Sequence, residues 1–123
     1  MASNKIVRFG PVALSASVAN VLNPPTITGG TGVATTASAT YAVVRHIRIV
    51  NKTSSAATCS FWLGATGASA AGTEVIGIGL SIAANSYVDW YGQLRLDTTD
   101  YLTGQASAGT TLTFEAEGEL GVA

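Results

Sequence analysis

Charge is scarce in this sequence. Six Lys and Arg and seven Asp and Glu make up 11% of 123 residues, against about 25% in an average soluble chain. The net charge of −1 gives no global field to steer nucleic acid. Cysteine is nearly absent. Cys59 stands alone, so no disulfide can form within the chain; it lies in an apolar run and is expected to be a small buried hydrophobe. One cysteine and one histidine, His46, cannot supply the four protein ligands of a structural zinc site. No apolar run approaches the roughly 20 residues of a membrane-spanning helix. The start, Met1-Ala2-Ser3-Asn4-Lys5, has no apolar stretch behind it of the kind a signal peptide needs. These absences set the expectations of no membrane, no nucleic acid and no cofactor, in a reducing setting or inside something larger that is exported.

What remains is small and β-branched. Hydrophobic residues reach 47%, much of that Ala and Val, and there are 14 glycines. That composition suits short strands and tight turns. It is too hydrophobic for a disordered chain and too poor in Glu, Lys and Leu for a long-helix protein. The length suits one domain that buries about two-thirds of its unfolded surface, which makes a single thin core.

Two regions differ in character. Residues 1–40 hold all three prolines, Pro11, Pro24 and Pro25, with short apolar patches and a Gly, Thr, Ser and Ala stretch. They read as an extended N-terminal arm with one or two short strands, ordered by docking on its own body or on a neighbour. Residues 41–123 read as a β-sandwich domain, with turn signals every eight to twelve residues. Tyr41 to Val50 is the strongest strand, and its parity changes near Arg45-His46, as at a bulge. Thr58 to Leu63 alternates, with Cys59, Phe61 and Leu63 to one side. Short strands follow over Glu74 to Ile78 and Leu80 to Ile82. In Ser86 to Tyr91, Val88 and Trp90 oppose Tyr87, Asp89 and Tyr91, and Gly92 breaks the run. Leu94 and Leu96, Tyr101 to Ala106, and Thr111 to Leu120 complete the set. Asp97-Thr98-Thr99-Asp100 is a turn, held by Asp side chains on their own backbone. The expected fold is all-β: an antiparallel, jelly-roll-like sandwich of about eight strands carrying the arm.

No constellation of residues demands catalysis. His46 sits in a strand between arginines and reads as structural. Glu115, Glu117 and Glu119 share one strand face rather than oppose each other across a cleft, as glycosidase carboxylates do; they read as a solvated edge or as a surface that meets a basic partner. Asp97 and Asp100 lack the further carboxylates and glycine of a calcium loop. Gly29-Gly30-Thr31-Gly32 has no following lysine or helix, so it is no phosphate loop. The bases Lys5, Arg8, Arg45, Arg48 and Lys52 precede every acid, and from Glu74 onward seven acids face only Arg95. That asymmetry is settled either by mixing within one sheet or between units packed head to tail.

Several segments together carry a resemblance: Tyr41 to Asn51, Ser60-Phe61-Trp62-Leu63-Gly64, Ile82 to Gly92, Leu94-Arg95-Leu96-Asp97, Asp100-Tyr101-Leu102 and Leu112 to Leu120. Over residues 41–120, the pattern resembles small β-sandwich virion structural proteins of tailed bacteriophages. The resemblance implies a non-enzymatic protein that docks on a capsid or tail, with no catalytic residues. The expected function is capsid decoration (cement), assembled in the host cytoplasm and kept on the virion. Its partners are then the major capsid protein or other virion proteins, and copies of itself, a trimer by preference. Expected contact residues are Lys5, Arg8, Phe9, Val12, Leu14, Leu22, Tyr87 and Tyr91. A tail, collar or head-fibre component is the structural alternative. A carbohydrate-binding module using Tyr87, Tyr91 and Trp62 is the alternative from another class.

Overall fold

The computed structural model describes residues 5–22 and 39–122. These form eight strands and no helix: β1 (Lys5–Ala13), β2 (Ala19–Leu22), β3 (Ala39–Asn51), β4 (Ala57–Gly64), β5 (Glu74–Ile82), β6 (Ser86–Leu96), β7 (Tyr101–Ala106) and β8 (Leu112–Val122). Each strand of the first half pairs antiparallel with its mirror in the second: β1 with β8, β2 with β7, β3 with β6, β4 with β5. The chain is thus one long hairpin rolled over on itself, and β3–β8 and β4–β7 pairs close the roll. The first sheet has the order β1-β8-β3-β6 and the second β2-β7-β4-β5, which is the two-sheet jelly roll.

Alternation drives the sandwich. Ala57, Cys59 and Phe61 of β4 turn inward, as do Leu112, Phe114 and Ala116 of β8, because residues two apart share a sheet face. Phe61 and Phe114, both fully buried, meet between the sheets with ring centroids 5.7 Å apart. Burying each such ring is worth about 1.5–3 kcal/mol. In β3, Ala42 and Val44 face the core and then Ile47 and Ile49 do. This break of parity is a bulge: the register with both β6 and β8 shifts between Val44 and His46. It leaves Arg45 and His46 both off the core, beside Arg48.

The arm gives way to a different picture over the described residues. β1 and β2 are integral strands, one in each sheet, and the chain between them is sewn to both. The Leu14 amide donates to the Leu112 carbonyl at 3.0 Å, and the Ser15 carbonyl accepts from the Ala106 amide at 2.8 Å. The boundary at residue 40 therefore falls inside the sandwich's own sequence. Residues 23–38, with Pro24, Pro25 and the Gly-Thr-Ser-Ala stretch, lie outside the described residues. Two further expectations change. Gly92 does not end its strand, since β6 runs on to Leu96 and absorbs the glycine at the register shift. Likewise Glu74 to Ile82 is one strand, kinked over residues 76–79, where Ile76 and Gly79 have positive φ and the Ser60 hydroxyl accepts from the Gly79 amide at 2.9 Å.

Candidate functional site

Most of the exposed bulky apolar surface lies on one side of the molecule. Ile6 (86% exposed), Tyr91 (72%), Tyr87 (55%) and Val50 (37%) all stand on the outer face of the first sheet. Ile78 of β5, in the second sheet, is the remaining exposed large hydrophobic side chain among the described residues. Exposed apolar groups gathered on one face make it the candidate interaction surface among the described residues.

The charges on this face are ordered in rows. β3 contributes Arg45, His46 and Arg48, brought side by side by its bulge. β8, its neighbour, contributes Glu115, Glu117 and Glu119, and β6 contributes Asp89. Arg48 Nε donates to Asp89 Oδ1 at 2.8 Å and its NH2 group donates to Oδ2 at 3.1 Å. His46 Nε2 lies 2.8 Å from the same Oδ1, and His46 Nδ1 lies 3.5 Å from Glu117. The Arg45 guanidinium bonds Glu119 at 2.6 Å. Aromatic rings cap the rows. Tyr91 stacks on His46 with centroids 4.7 Å apart, and the Arg48 guanidinium sits 4.5 Å from the centre of the Tyr87 ring. Hydrogen bonds from Arg48, then from His46, hold Asp89 down to about 2, and Asp89 in turn raises Arg48. The Arg48–Asp89 pair therefore stays charged across all physiological pH values. These pairs lie at the surface and are screened by solvent, so the contacts order the side chains more than they hold the fold.

Between Ile6 and Tyr91 lies an open groove of about 440 Å³, lined also by Arg45, His46, Glu117, Gly118 and Glu119. His46 meets carboxylates on both sides here, Asp89 at Nε2 and Glu117 at Nδ1. Cys59 lies across the sandwich with its thiol pushed up to about 11 by burial, the opposite of an activated thiolate. Among the described residues, no three His, Cys, Asp or Glu side chains converge to hold a metal ion.

The expected contact residues separate sharply. Arg8, Tyr87 and Tyr91 lie on the outer face, Tyr87 and Tyr91 on β6 and Arg8 on β1 opposite Glu117. Phe9, Leu14 and Leu22 are core residues, exposed by 3%, 2% and 2%, and so are withdrawn from any docking role. β1 and β2 bury them because an apolar arm strand gains more against its own sheets than against water. Val12 is half-buried and packs on the same core. Lys5 opens β1, paired with Leu120. The acidic row is no solvated edge: β8 is flanked by β1 and β3, and the basic partner of its carboxylates is the chain's own β3. The two-signed sequence asymmetry is thus settled within one sheet. Trp62 is on β4, in the other sheet from Tyr87 and Tyr91, so the three form no common sugar platform. A second hollow of about 230 Å³ on that sheet, lined by Thr58, Ser60, Gln105 and Ser107, has no aromatic wall. Sequence reasoning missed Ile6 and Val50; their parity with Arg8 and Arg48 was the available signal.

Comparison with protein-family models and with curated proteins found no match to this chain.

Proposed function

We propose that this chain is a structural protein of a tailed-bacteriophage virion, a capsid decoration (cement) protein that binds across capsid subunits and stiffens the shell. The observation that carries the reading is a jelly roll whose exposed apolar side chains collect on one charged sheet face, rather than around a reactive pocket. On this face Arg48 is already held by Asp89 and Tyr87, and His46 by Asp89 and Tyr91, so these side chains have less freedom left to lose when it docks. Repetition over a lattice multiplies such weak contacts into firm attachment. The sheet face supplies one docking surface, through Arg8, Tyr87 and Tyr91. Ile78, 58% exposed on the kinked edge strand β5, supplies a second. Deleting the first 22 residues is no test, because it removes two strands and Phe9, Leu14 and Leu22 with them.

Point variants serve instead. Purified chain is added to phage heads stripped of it, and bound copies are counted by gel densitometry and electron cryo-microscopy. The expected result is saturable loading in a fixed ratio to the major capsid protein, with heads that rupture at higher temperature, and reduced loading of Ile78→Asp. Heads that take up no chain sink the reading.

A further inference from the structure

The outer face of the first sheet is complementary to itself, and from this we infer that it is the contact between two copies of the chain, related by a twofold axis. The inference rests on the reading of this face as a docking surface, not on the virion assignment. In the order β1-β8-β3-β6, the boundary between β8 and β3 is the midline of the sheet. Acidic β8 lies on one side of it and basic β3 on the other. A half-turn about an axis over that midline, parallel to the strands, lays β8 of each copy on β3 of the other, and β1 on β6.

The rungs of the ladder are kept by this rotation. Glu115 is in register with Arg48, and Glu117 with His46, so each carboxylate arrives over the basic group of the second copy. Arg8 and Tyr91 share the rung of Glu117 and His46. The Arg8 guanidinium of one copy therefore comes over the Tyr91 ring of the other, a cation–π pair. Among the described residues no ion pair engages Arg8. A half-turn that offset the sheet by one strand would stack β8 on β8 and set carboxylate against carboxylate, so the charge rows select the central axis. The area is adequate. Four strands about 4.8 Å apart, with about ten residues each at ~3.3 Å, span roughly 600 Å². Two copies then bury about 1,200 Å², above the roughly 1,000 Å² that a specific interface needs.

A charge-exchange experiment tests this. The expected result of sedimentation equilibrium on the wild-type chain is a mass that rises from 12.4 kDa to twice that value with concentration. Reversing one row, in Glu115→Lys/Glu117→Lys or in His46→Glu/Arg48→Glu, sets like charge on like charge at the rungs that meet, and each variant alone is monomeric. Mixing the two variants restores the dimer, because every β8 then faces a β3 of opposite sign. Circular dichroism checks that both fold. If either does not, Ile6→Asp/Tyr91→Ser replaces it and weakens dimerisation at least about tenfold. A wild-type chain that stays monomeric at millimolar concentration overturns the inference. So do a trimer, a row variant that dimerises like wild type, a folded mixture that stays monomeric, and an unmoved constant in Ile6→Asp/Tyr91→Ser. A chain that dimerises yet never loads heads removes the virion reading alone; a chain that loads heads as a monomer removes only the twofold contact.

Discussion

Replacing Gly118 with alanine tests how tightly the β3 bulge is locked. A Cβ built at Gly118 collides with the Val43 carbonyl oxygen and falls 2.8 Å from its carbon and 3.0 Å from Val44 Cα. All three are backbone atoms of the strand that pairs with Gly118, at the point where the bulge begins. A flexible side chain could swing aside; a paired backbone cannot, so β3 and β8 must separate locally or the bulge must shift. Overpacking of this kind costs roughly 1–3 kcal/mol and sometimes more, and a clash with backbone alone belongs at the upper end, about 3 kcal/mol. With an unfolding entropy of ~2.1 cal/mol/K per residue over 123 residues, that lowers Tm by about 12 °C. Gly109 provides the control, since nothing lies within 4 Å of its would-be Cβ. Gly109→Ala should stay within about 1 kcal/mol of wild type, on the stabilising side if the turn tolerates it. Urea unfolding followed by tryptophan fluorescence, together with thermal melts, gives both numbers. Equal stability for the two variants would refute the packing described at the bulge.

Three further outcomes follow from the same contacts. Asp89, lowered from an ordinary 3.8 to about 2 in the folded chain, binds fewer protons there than in the unfolded chain, so its stabilisation is present above pH ~4 and lost as pH falls toward ~2; Tm measured over that window should fall more steeply in wild type than in Asp89→Asn, and parallel curves would remove the Arg48–Asp89–His46 cluster as the cause. Asn51, buried, donates through Nδ2 to the carbonyls of Ser55 and Ile82 at 2.9 and 3.0 Å and accepts from the Thr53 amide at 2.9 Å; Asn51→Ala should cost about 2–3 kcal/mol in chemical unfolding by orphaning those groups, and a cost under half a kcal/mol would show they find water instead. Cys59, 2% exposed with its thiol raised by burial, should react with iodoacetamide at mildly alkaline pH only as the chain opens; rapid labelling of the folded chain contradicts its burial.

Much of the second half was legible because its strands obey a period of two. Cys59 with Phe61, and Leu112 with Phe114 and Ala116, announce their faces in sequence, and the parity slip at Arg45-His46 marks the bulge. β1 and β2 were not legible as core strands. Their partners, β8 and β7, lie about a hundred and about eighty residues onward, so nothing local tells Phe9 or Leu22 which surface it will meet. Pro11 adds to the disguise: it coincides with the register shift between Phe9 and Val12, where a missing amide is tolerated. The docking face was half legible. The alternation of Tyr87, Asp89 and Tyr91 placed them together, but only the strand order sets the acidic row of β8 against the basic row of β3. The glutamates' identity as a row was readable; their neighbour was not.

The nested pairing has a consequence for how the polypeptide is made. β8, an 11-residue strand, is wedged between β1 and β3, so a nascent chain from which β8 has not yet emerged has its first sheet in two separate pieces, each with a bare rim. Closure waits for β8 to emerge, and because most pairings span a long stretch of chain, assembly is slow for a molecule of this size. During that interval the rims of β1 and β3 are open to strands from other nascent copies. Truncations that remove β8 should therefore be recovered as aggregates rather than as trimmed but soluble domains.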